Sequence, residues 1–133
     1  MKVTPNDLGI CGVSQWMYAG TIKYNTTGAS TGVKLCELPH DCLITRAVAV
    51  VKTAFDAGTS NELTVGTTTT NANELLGSDD ITEGTAGAYG KDRFIEAAAR
   101  TPIVAKYTQT GTDATAGEAE VYLEVVGIPE IIS

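Results

Sequence analysis

Apolar and polar residues alternate along several short segments of this chain. In residues 118–126, alanine, valine and leucine alternate with glutamate and tyrosine, and residues 101–109 alternate in the same way. Residues 15–24 are dense in aromatic and β-branched side chains. A period of two is the pattern of a strand with one buried face, and β-branched and aromatic residues favour strands. Each of these segments is therefore predicted to be a strand.

The segment that begins at Val33 also alternates. Leu35 is predicted to share the face of Val33, while Lys34 and Cys36 lie on the opposite face. Pro39 ends this strand, because proline has no backbone donor for the ladder and restricts the residue before it.

Residues 43–53 form the longest strongly apolar run. Such a run predicts a central strand that is covered on both sides, or one at a sheet-to-sheet or subunit contact. A turn signal at 56–61 and a short strand at 63–66 follow. Several strands at this spacing, separated by Gly/Thr turns, predict an antiparallel β-sandwich of the jelly-roll type.

Two segments have helical features. Asn73 can cap a short helical turn over the Glu-Leu-Leu that follows, and Gly77 can end it. Residues 91–100 contain a glutamate followed by three alanines, which favour a helix, whereas a strand that begins at Phe94 fits the context equally well. The predicted fold class is mainly β, with at most one or two short helical turns.

Length and composition indicate one domain. The chain has 133 residues, 43% of them hydrophobic but only 6% aromatic, and small and β-branched side chains suit a thin core between two sheets. Residues 1–14 lack any sustained period and are predicted to be an extended N-terminal arm. The sandwich domain is predicted over 15–127, and residues 128–133 are predicted to be a C-terminal tail.

The net charge of −7 argues against nucleic acid as a partner, because phosphate contacts need clustered cations and the nine basic residues are scattered singly. No apolar stretch reaches the roughly 20 residues of a membrane-spanning helix, so no membrane partner is predicted. Pro5, Asn6 and Asp7 stand where a signal peptide would place its apolar centre. The sequence therefore predicts a soluble protein made in a cytoplasm.

Polar residues that could carry chemistry are few. The three cysteines are an odd number and there is one histidine, so reduced, partly buried thiols are predicted and no metal site. The carboxylate groups are better explained as solvated charge and turn residues than as acid/base pairs, and no nucleotide-binding glycine motif is present. We predict that the chain is not an enzyme and has no cofactor. The groups considered are Asp79 with Asp80 and Glu83, Glu120 with Glu124, and His40 with Asp41 and Cys42.

Three segments resemble small virion proteins of tailed bacteriophages, of the capsid decoration or cement type. LPHDCLITRAVAVVKTAFDAGTSNELTVGT (38–67) resembles a run in which an LP turn leads to an apolar strand, a TAF step, a turn and LTVG. NANELLGSDDI (71–81) and AGEAEVYLEVV (116–126) resemble later parts of those proteins. The matching residues of the first segment are Leu38, Pro39, Val48, Val50, Thr53, Ala54, Phe55, Leu63, Val65 and Gly66.

The resemblance implies a β-sandwich, often in trimers, on the surface of the phage head. The predicted function is a capsid decoration or cement protein on the virion exterior, which binds the major capsid protein lattice and stabilises the head. The predicted partners are the major capsid protein and further copies of the chain itself, with a trimer favoured. The alternative is a receptor- or glycan-binding module on the virion exterior, such as a head fibre or tail component, using Tyr89 and the turns at 56–61 and 67–73.

A cement protein needs exposed apolar residues that contact its neighbours. The cluster Trp16, Met17 and Tyr18 is either core packing or an interface anchor, and the two interpretations stay open. The apolar residues of the arm and the tail are candidates for the same role. The predicted capsid or subunit interface comprises Leu8, Ile10, Val13, Trp16, Met17, Ile128, Ile131 and Ile132.

Overall fold

The computed structural model describes residues 14–38, 41–70, 72–97 and 100–127, and this part of the chain contains strands and no helix. The predicted antiparallel β-sandwich is confirmed. The strands are β1 (Ser14–Lys23), β2 (Val33–Leu38), β3 (Cys42–Thr53), β4 (Ser60–Gly66), β5 (Gly87–Ala97), β6 (Thr101–Thr110) and β7 (Glu118–Gly127).

Two antiparallel sheets form the sandwich. One has four strands in the order β1-β7-β3-β5, and the other has three in the order β2-β6-β4. The core lies between them and is built from alternate residues of each strand. The alternation predicted for β6 and β7 is confirmed, since Ile103, Ala105 and Tyr107 are buried in one sheet and Val121 and Leu123 in the other.

A β-bulge in β2 overturns one predicted face assignment. Lys34 is paired with Val104 and Cys36 with Ile103, so Leu35 is an extra residue on the bulged strand. The extra residue reverses the alternation that follows it. Cys36 therefore packs against the core, on the side of Val33, and the prediction that it lies on the opposite face is wrong.

The long connection between β4 and β5 is part of the core, and the helical turn predicted after Asn73 is wrong. Leu76 forms an isolated bridge with Val65 of β4, with backbone hydrogen bonds of 2.9 and 3.0 Å. In a helix, the amide and carbonyl groups of Leu76 would bond within the segment. Here they bond to Val65 of the neighbouring strand β4. Glu74 accepts hydrogen bonds from the backbone amide and the hydroxyl of Thr67, at 3.1 and 2.7 Å, and so closes the loop.

The segment at 91–100, for which helix and strand were equally credible, lies mainly in β5. This strand extends from Gly87 to Ala97 and pairs with β3 on both sides of a register shift between Ile44 and Arg46. Pairing with β3 outweighs the helix preference of this segment, because the helix propensity of a single residue contributes only about 0.7 kcal/mol or less.

Glu83 is the buried carboxylate of the loop that precedes β5, with 8% of the residue exposed. Its Oε2 atom accepts a hydrogen bond of 2.8 Å from the Leu63 amide, and its carbonyl accepts one of 2.9 Å from the Phe55 amide. Burial raises the pKa of the Glu83 carboxyl, and the Leu63 amide bond only partly offsets this. The protonated form is therefore favoured more strongly in the folded chain than in the unfolded chain.

We expect Glu83→Gln to be more stable than the wild type at pH 7, because glutamine keeps an acceptor for Leu63 without a buried charge. The folded-state pKa is raised, so the folded wild type binds more protons than the unfolded chain, and it loses stability as the pH rises from the unfolded pKa of about 4.3 through the folded value. The stability advantage of the variant should grow across this window in urea titrations. Glu96→Gln, at an exposed position, is the control. An advantage that shrinks with pH would contradict the assignment.

Candidate interaction surfaces

The side chains whose burial is described on the outer face of the four-stranded sheet are all exposed or half-buried. The register of the strands defines which residues it comprises, because directly paired residues lie on the same face. We call it the open face. It includes Trp16, Tyr18 and Thr21 of β1, Glu120, Tyr122, Glu124 and Val126 of β7, Leu43, Arg46, Val48 and Val50 of β3, and Ala88, Gly90, Asp92, Phe94 and Glu96 of β5.

A row of apolar residues crosses the centre of the open face. Tyr18 pairs with Tyr122, Tyr122 with Val48, and Val48 with Gly90. The two tyrosine rings lie 5.5 Å apart between centroids and are tilted by 54°. A Cβ atom on Gly90 would lie 2.9 Å from Cγ2 of Val48, so the glycine lets the two strands lie together without a side chain over the valine. The outer face of an antiparallel sheet is ordinarily polar, and this row is a departure from that pattern.

Charged and polar groups flank the apolar row. On one side Trp16 pairs with Glu124, and the Nε atom of Arg46 lies 2.6 Å from Oδ1 of Asp92. On the other side Glu120 accepts a hydrogen bond of 3.2 Å from the Tyr122 hydroxyl. Desolvation and the negative charge of Glu120 raise the pKa of Tyr122 above its ordinary value. Further apolar residues, such as Val50 beside Glu120, lie among these charged groups, and such a mixture of apolar and charged residues is also found at protein interfaces.

Trp16 and Met17, the two described residues of the predicted interface, lie on opposite faces of β1. Trp16 is 50% exposed and lies on the open face, whereas Met17 pairs with Leu123 and packs against the core. Tyr18, which was predicted together with them, is 52% exposed beside Trp16. Core packing therefore holds for Met17, and an interface role for the exposed Trp16 and Tyr18 stays a prediction.

Sequence reasoning missed most of the open face. The sequence places Tyr122 on the polar side of its strand, and it identifies Val48 and Val50 as part of an apolar run and of the resemblance but not as surface residues. The apolar run indicates this surface, because a strand with apolar side chains on both faces needs a second layer or a partner to cover its outer face. Phe94, on the edge strand β5, is the most exposed large apolar residue of the described chain, at 78%.

A second apolar feature lies at the end of the sandwich where β1 begins and β7 ends. It is a cavity of about 220 Å³, which we call the end cavity. Six of the predicted interface residues lie outside the described residues. The end cavity is lined by Gln15, Trp16, Met17, Leu38, Cys42, Val125 and Gly127. The six residues are Leu8, Ile10, Val13, Ile128, Ile131 and Ile132.

Asp80 and Glu124, two of the carboxylates considered for acid/base chemistry, are engaged in structural contacts. Asp80 lies 3.5 Å from the Lys91 ammonium and 3.3 Å from the Arg93 guanidinium, and accepts the Gly77 amide at 2.8 Å. Glu124 accepts the hydroxyl of Thr45 at 2.8 Å. Within the ranges that the structure describes, no group of three His, Cys, Asp or Glu side chains could hold a metal ion, and His40 lies outside those ranges.

The described cysteines, Cys36 and Cys42, are partly buried thiols, as the sequence predicts. Burial raises the pKa of both, and the charge of Asp41 raises that of Cys42 further. Tyr89, predicted as a binding residue of an exterior module, is half-buried and donates a hydrogen bond of 2.7 Å to the Thr85 carbonyl. In the described ranges there is no helix long and apolar enough to cross a membrane.

Chains in two solved phage structures share this fold. A chain of the cyanophage Pam1 capsid asymmetric unit matches with a TM-score of 0.62 and 14% identity, over 87% of this chain and 85% of that one. A chain of the acidic stable capsid structure of Helicobacter pylori bacteriophage KHP30 matches with a TM-score of 0.53 and 15% identity, over 89% of this chain and 100% of that one. No protein-family model and no curated protein sequence matches. The predicted resemblance to phage virion proteins is thus confirmed at the level of the fold.

Proposed function

We propose that this chain is a non-enzymatic structural protein of a bacteriophage virion. In this proposal it is a decoration or cement protein, made in the host cytoplasm, that binds the major capsid protein lattice on the outside of the head and stabilises it. The observation that carries the proposal is the open face, an uncovered sheet surface with a tyrosine-valine row at its centre. The fold shared with chains of two phage capsid structures supports the same role.

A rigid sheet is a suitable surface for this role. Four hydrogen-bonded strands fix the backbone that carries the aromatic and aliphatic side chains of the open face, so little backbone freedom is lost on binding. Burial of apolar surface contributes about 25 cal/mol per Å², and association costs offset part of it. Many copies on one lattice add contacts without requiring a strong single contact.

The placement of the polar groups supports a non-enzymatic role. A catalytic site needs a nucleophile, a base or an acid whose polar groups converge on one cleft. The buried Glu83 and the half-buried Glu74 instead accept backbone hydrogen bonds that hold loops and strands. Their hydrogen-bonding capacity contributes to the fold.

A glycan- or receptor-binding module is the second candidate. Trp16 and Tyr18 expose about half of their surface on the open face, and Glu120 and Glu124 lie beside them. Aromatic faces next to carboxylates suit a sugar, whose C–H groups pack on rings and whose hydroxyls donate hydrogen bonds. The same surface therefore serves either occupant, and a binding experiment separates them.

The test measures attachment to expanded capsids of the phage that encodes the chain, prepared without it. We expect the wild type to attach and to protect these capsids from heat, and Trp16→Ala and Tyr18→Ala each to weaken attachment about tenfold or more, since aromatic anchors dominate interfaces. Glu62→Ala is the control, because Glu62 is exposed on the outer face of the other sheet.

Circular dichroism would verify that the variants are folded. Failure of the wild type to attach, or equal attachment by all variants, would contradict the proposal. Retention of the wild type on a glycan array, with loss in the same two variants, would favour the second candidate.

A further inference from the structure

Glu124 is a carboxylate of the open face whose direction is set by a β-bulge. Ile44 of β3 pairs with Val125 of β7 and Arg46 pairs with Glu124, so Thr45 is an extra residue in β3. The Thr45 hydroxyl donates a hydrogen bond of 2.8 Å to Oε1 of Glu124. A bulge re-aims a side chain, and here it holds one carboxylate oxygen while Oε2 can accept a further donor.

The cation that the register places opposite Glu124 is engaged elsewhere. Arg46 is the partner of Glu124 across the two strands, but its Nε atom lies 2.6 Å from Oδ1 of Asp92 on β5. The hydrogen bond to Asp92 and the charge of Asp92 raise the pKa of Arg46 more than the charge of Glu124 does. The guanidinium of Arg46 is therefore directed to β5 and not to β7.

The other two glutamates of β7 each have a cation. Glu118 lies 4.0 Å from the Lys23 ammonium, and Glu120 lies 3.6 Å from the Lys52 ammonium. No Lys or Arg of the described ranges lies within 4 Å of the Glu124 carboxylate, although Glu124 is half-buried. A partly desolvated carboxylate of this kind gains most from a cation that a partner supplies.

Trp16 lies directly beside this carboxylate. It pairs with Glu124 across β1 and β7, and the Cβ atoms of directly paired residues lie about 4.5–5.5 Å apart. Trp16 is 50% exposed, so part of its ring is open to a ligand. An indole face attracts a cation more strongly than the ring of tyrosine or phenylalanine does. An aromatic ring and a carboxylate that has no cation beside it thus share one position of the open face.

We propose that Trp16 and Glu124 bind one arginine side chain of the protein that docks on the open face. We call these two residues the arginine subsite, and Thr45 is its positioning residue. The proposal rests on the proposed function and deepens it, because it names the chemistry of the partner at one position. The net charge of −7 supports it, since an acidic chain attracts a partner with a basic surface.

The shape of the subsite favours arginine over lysine. A guanidinium is planar, so its flat side can stack on the Trp16 ring while N–H groups at its edge donate to Glu124. It is also more weakly hydrated than an ammonium, so its transfer from water to the interface costs less. A lysine ammonium is a compact, strongly hydrated charge without a flat side to stack.

A titration of the full chain with a small probe tests the subsite without a capsid. Trp16 is the single tryptophan of the chain, so its indole N–H resonance in nuclear magnetic resonance spectra reports this position alone. We expect a saturable shift with N-acetyl-L-arginine amide, whose one charge is the guanidinium. N-acetyl-L-lysine amide should bind at least about threefold more weakly, and the neutral N-acetyl-L-glutamine amide should give no saturable shift.

Three results of this titration would overturn the proposal. They are the absence of a saturable shift with the arginine probe, an equal shift with the neutral glutamine probe, and binding of the lysine probe as tight as that of the arginine probe.

Variants test the role of each group. Glu124→Gln should weaken binding of the arginine probe about fivefold, whereas Glu62→Gln, which removes an equal charge from the outer face of the other sheet, should leave it unchanged. Equal affinity of the Glu124→Gln variant and the wild type would overturn the proposal. Thr45→Val should weaken binding about twofold, and should cause no further loss when it is combined with Glu124→Gln. An equal loss in both backgrounds would overturn the positioning role of Thr45.

Attachment to expanded capsids is measured separately. Glu124→Gln should weaken attachment about fivefold and make it less sensitive to salt, whereas Glu62→Gln should attach like the wild type. Equal attachment by Glu124→Gln and the wild type would overturn the assignment of the arginine to the capsid partner. Failure of the wild type to attach would contradict the proposed function, and the probe titration, which needs no capsid, distinguishes that result from a failure of the subsite.

Discussion

Gly117→Ala should lower the free energy of unfolding by about 2–5 kcal/mol, as backbone strain and a steric clash act together. Gly117 has φ +147°, a conformation that residues with a side chain rarely adopt. A Cβ atom at this position would lie 2.3 Å from Cδ2 of Phe55. The Phe55 ring cannot move aside easily, because the residue is 2% exposed and the centroid of its ring lies 4.6 Å from that of the Tyr107 ring.

Two other glycines distinguish the stability cost of backbone strain from the stability cost of a steric clash. Gly28 has φ +81°, and no atom lies within 4 Å of the position that a Cβ would occupy, so Gly28→Ala should cost only the strain of about 1–2 kcal/mol. Gly84 has open space and no positive φ, so Gly84→Ala should change stability by less than about 0.5 kcal/mol. Urea unfolding followed by circular dichroism gives the three values. Equal losses for Gly117→Ala and Gly28→Ala would mean that the Phe55 ring is free to shift.

Leu76→Ala should lower the free energy of unfolding by about 2–5 kcal/mol, although Leu76 lies in a connection and not in a strand. Its side chain is fully buried, and its backbone bridges Val65 of β4. Truncation leaves a cavity beneath the connection and weakens the attachment of the loop to the sheet. A loss of this size is a large part of the roughly 5–15 kcal/mol that stabilises a typical domain.

Leu43→Ala is the matched control for this prediction. Leu43 is a leucine in a regular strand, but it is half-buried on the open face, so its truncation should cost about 1 kcal/mol or less. Chemical denaturation of both variants gives the comparison. A larger loss for Leu43→Ala than for Leu76→Ala would contradict the view that the connection belongs to the core.

The strands with a strict period of two could be predicted from the sequence. In β6 and β7 the residues predicted on one face, such as Tyr107 and Leu123, are buried in the core, because a pleated strand turns alternate side chains to opposite sides. The same local rule failed in β2, where the bulge at Leu35 moved Cys36 to the other side. A bulge depends on the partner strand, so the local sequence pattern does not predict it.

The candidate surface was only partly predictable. Trp16 was identified as an interface candidate because exposed aromatic residues anchor interfaces, and the structure places it on the open face. The row from Tyr18 through Tyr122 to Val48 joins three strands that are far apart along the chain. Its members become neighbours only when β7 inserts between β1 and β3.

The sequence by itself determined that the chain is a β protein with several amphipathic strands and a low content of polar groups suited to chemistry. Local composition and period suffice for these conclusions, because strand preference and side-chain alternation act over a few residues. Only the tertiary structure decided which apolar residues stay uncovered, where the end cavity opens, and that the Leu76 connection belongs to the core. These features depend on the order and register of strands that are distant in sequence, which are set by long-range contacts.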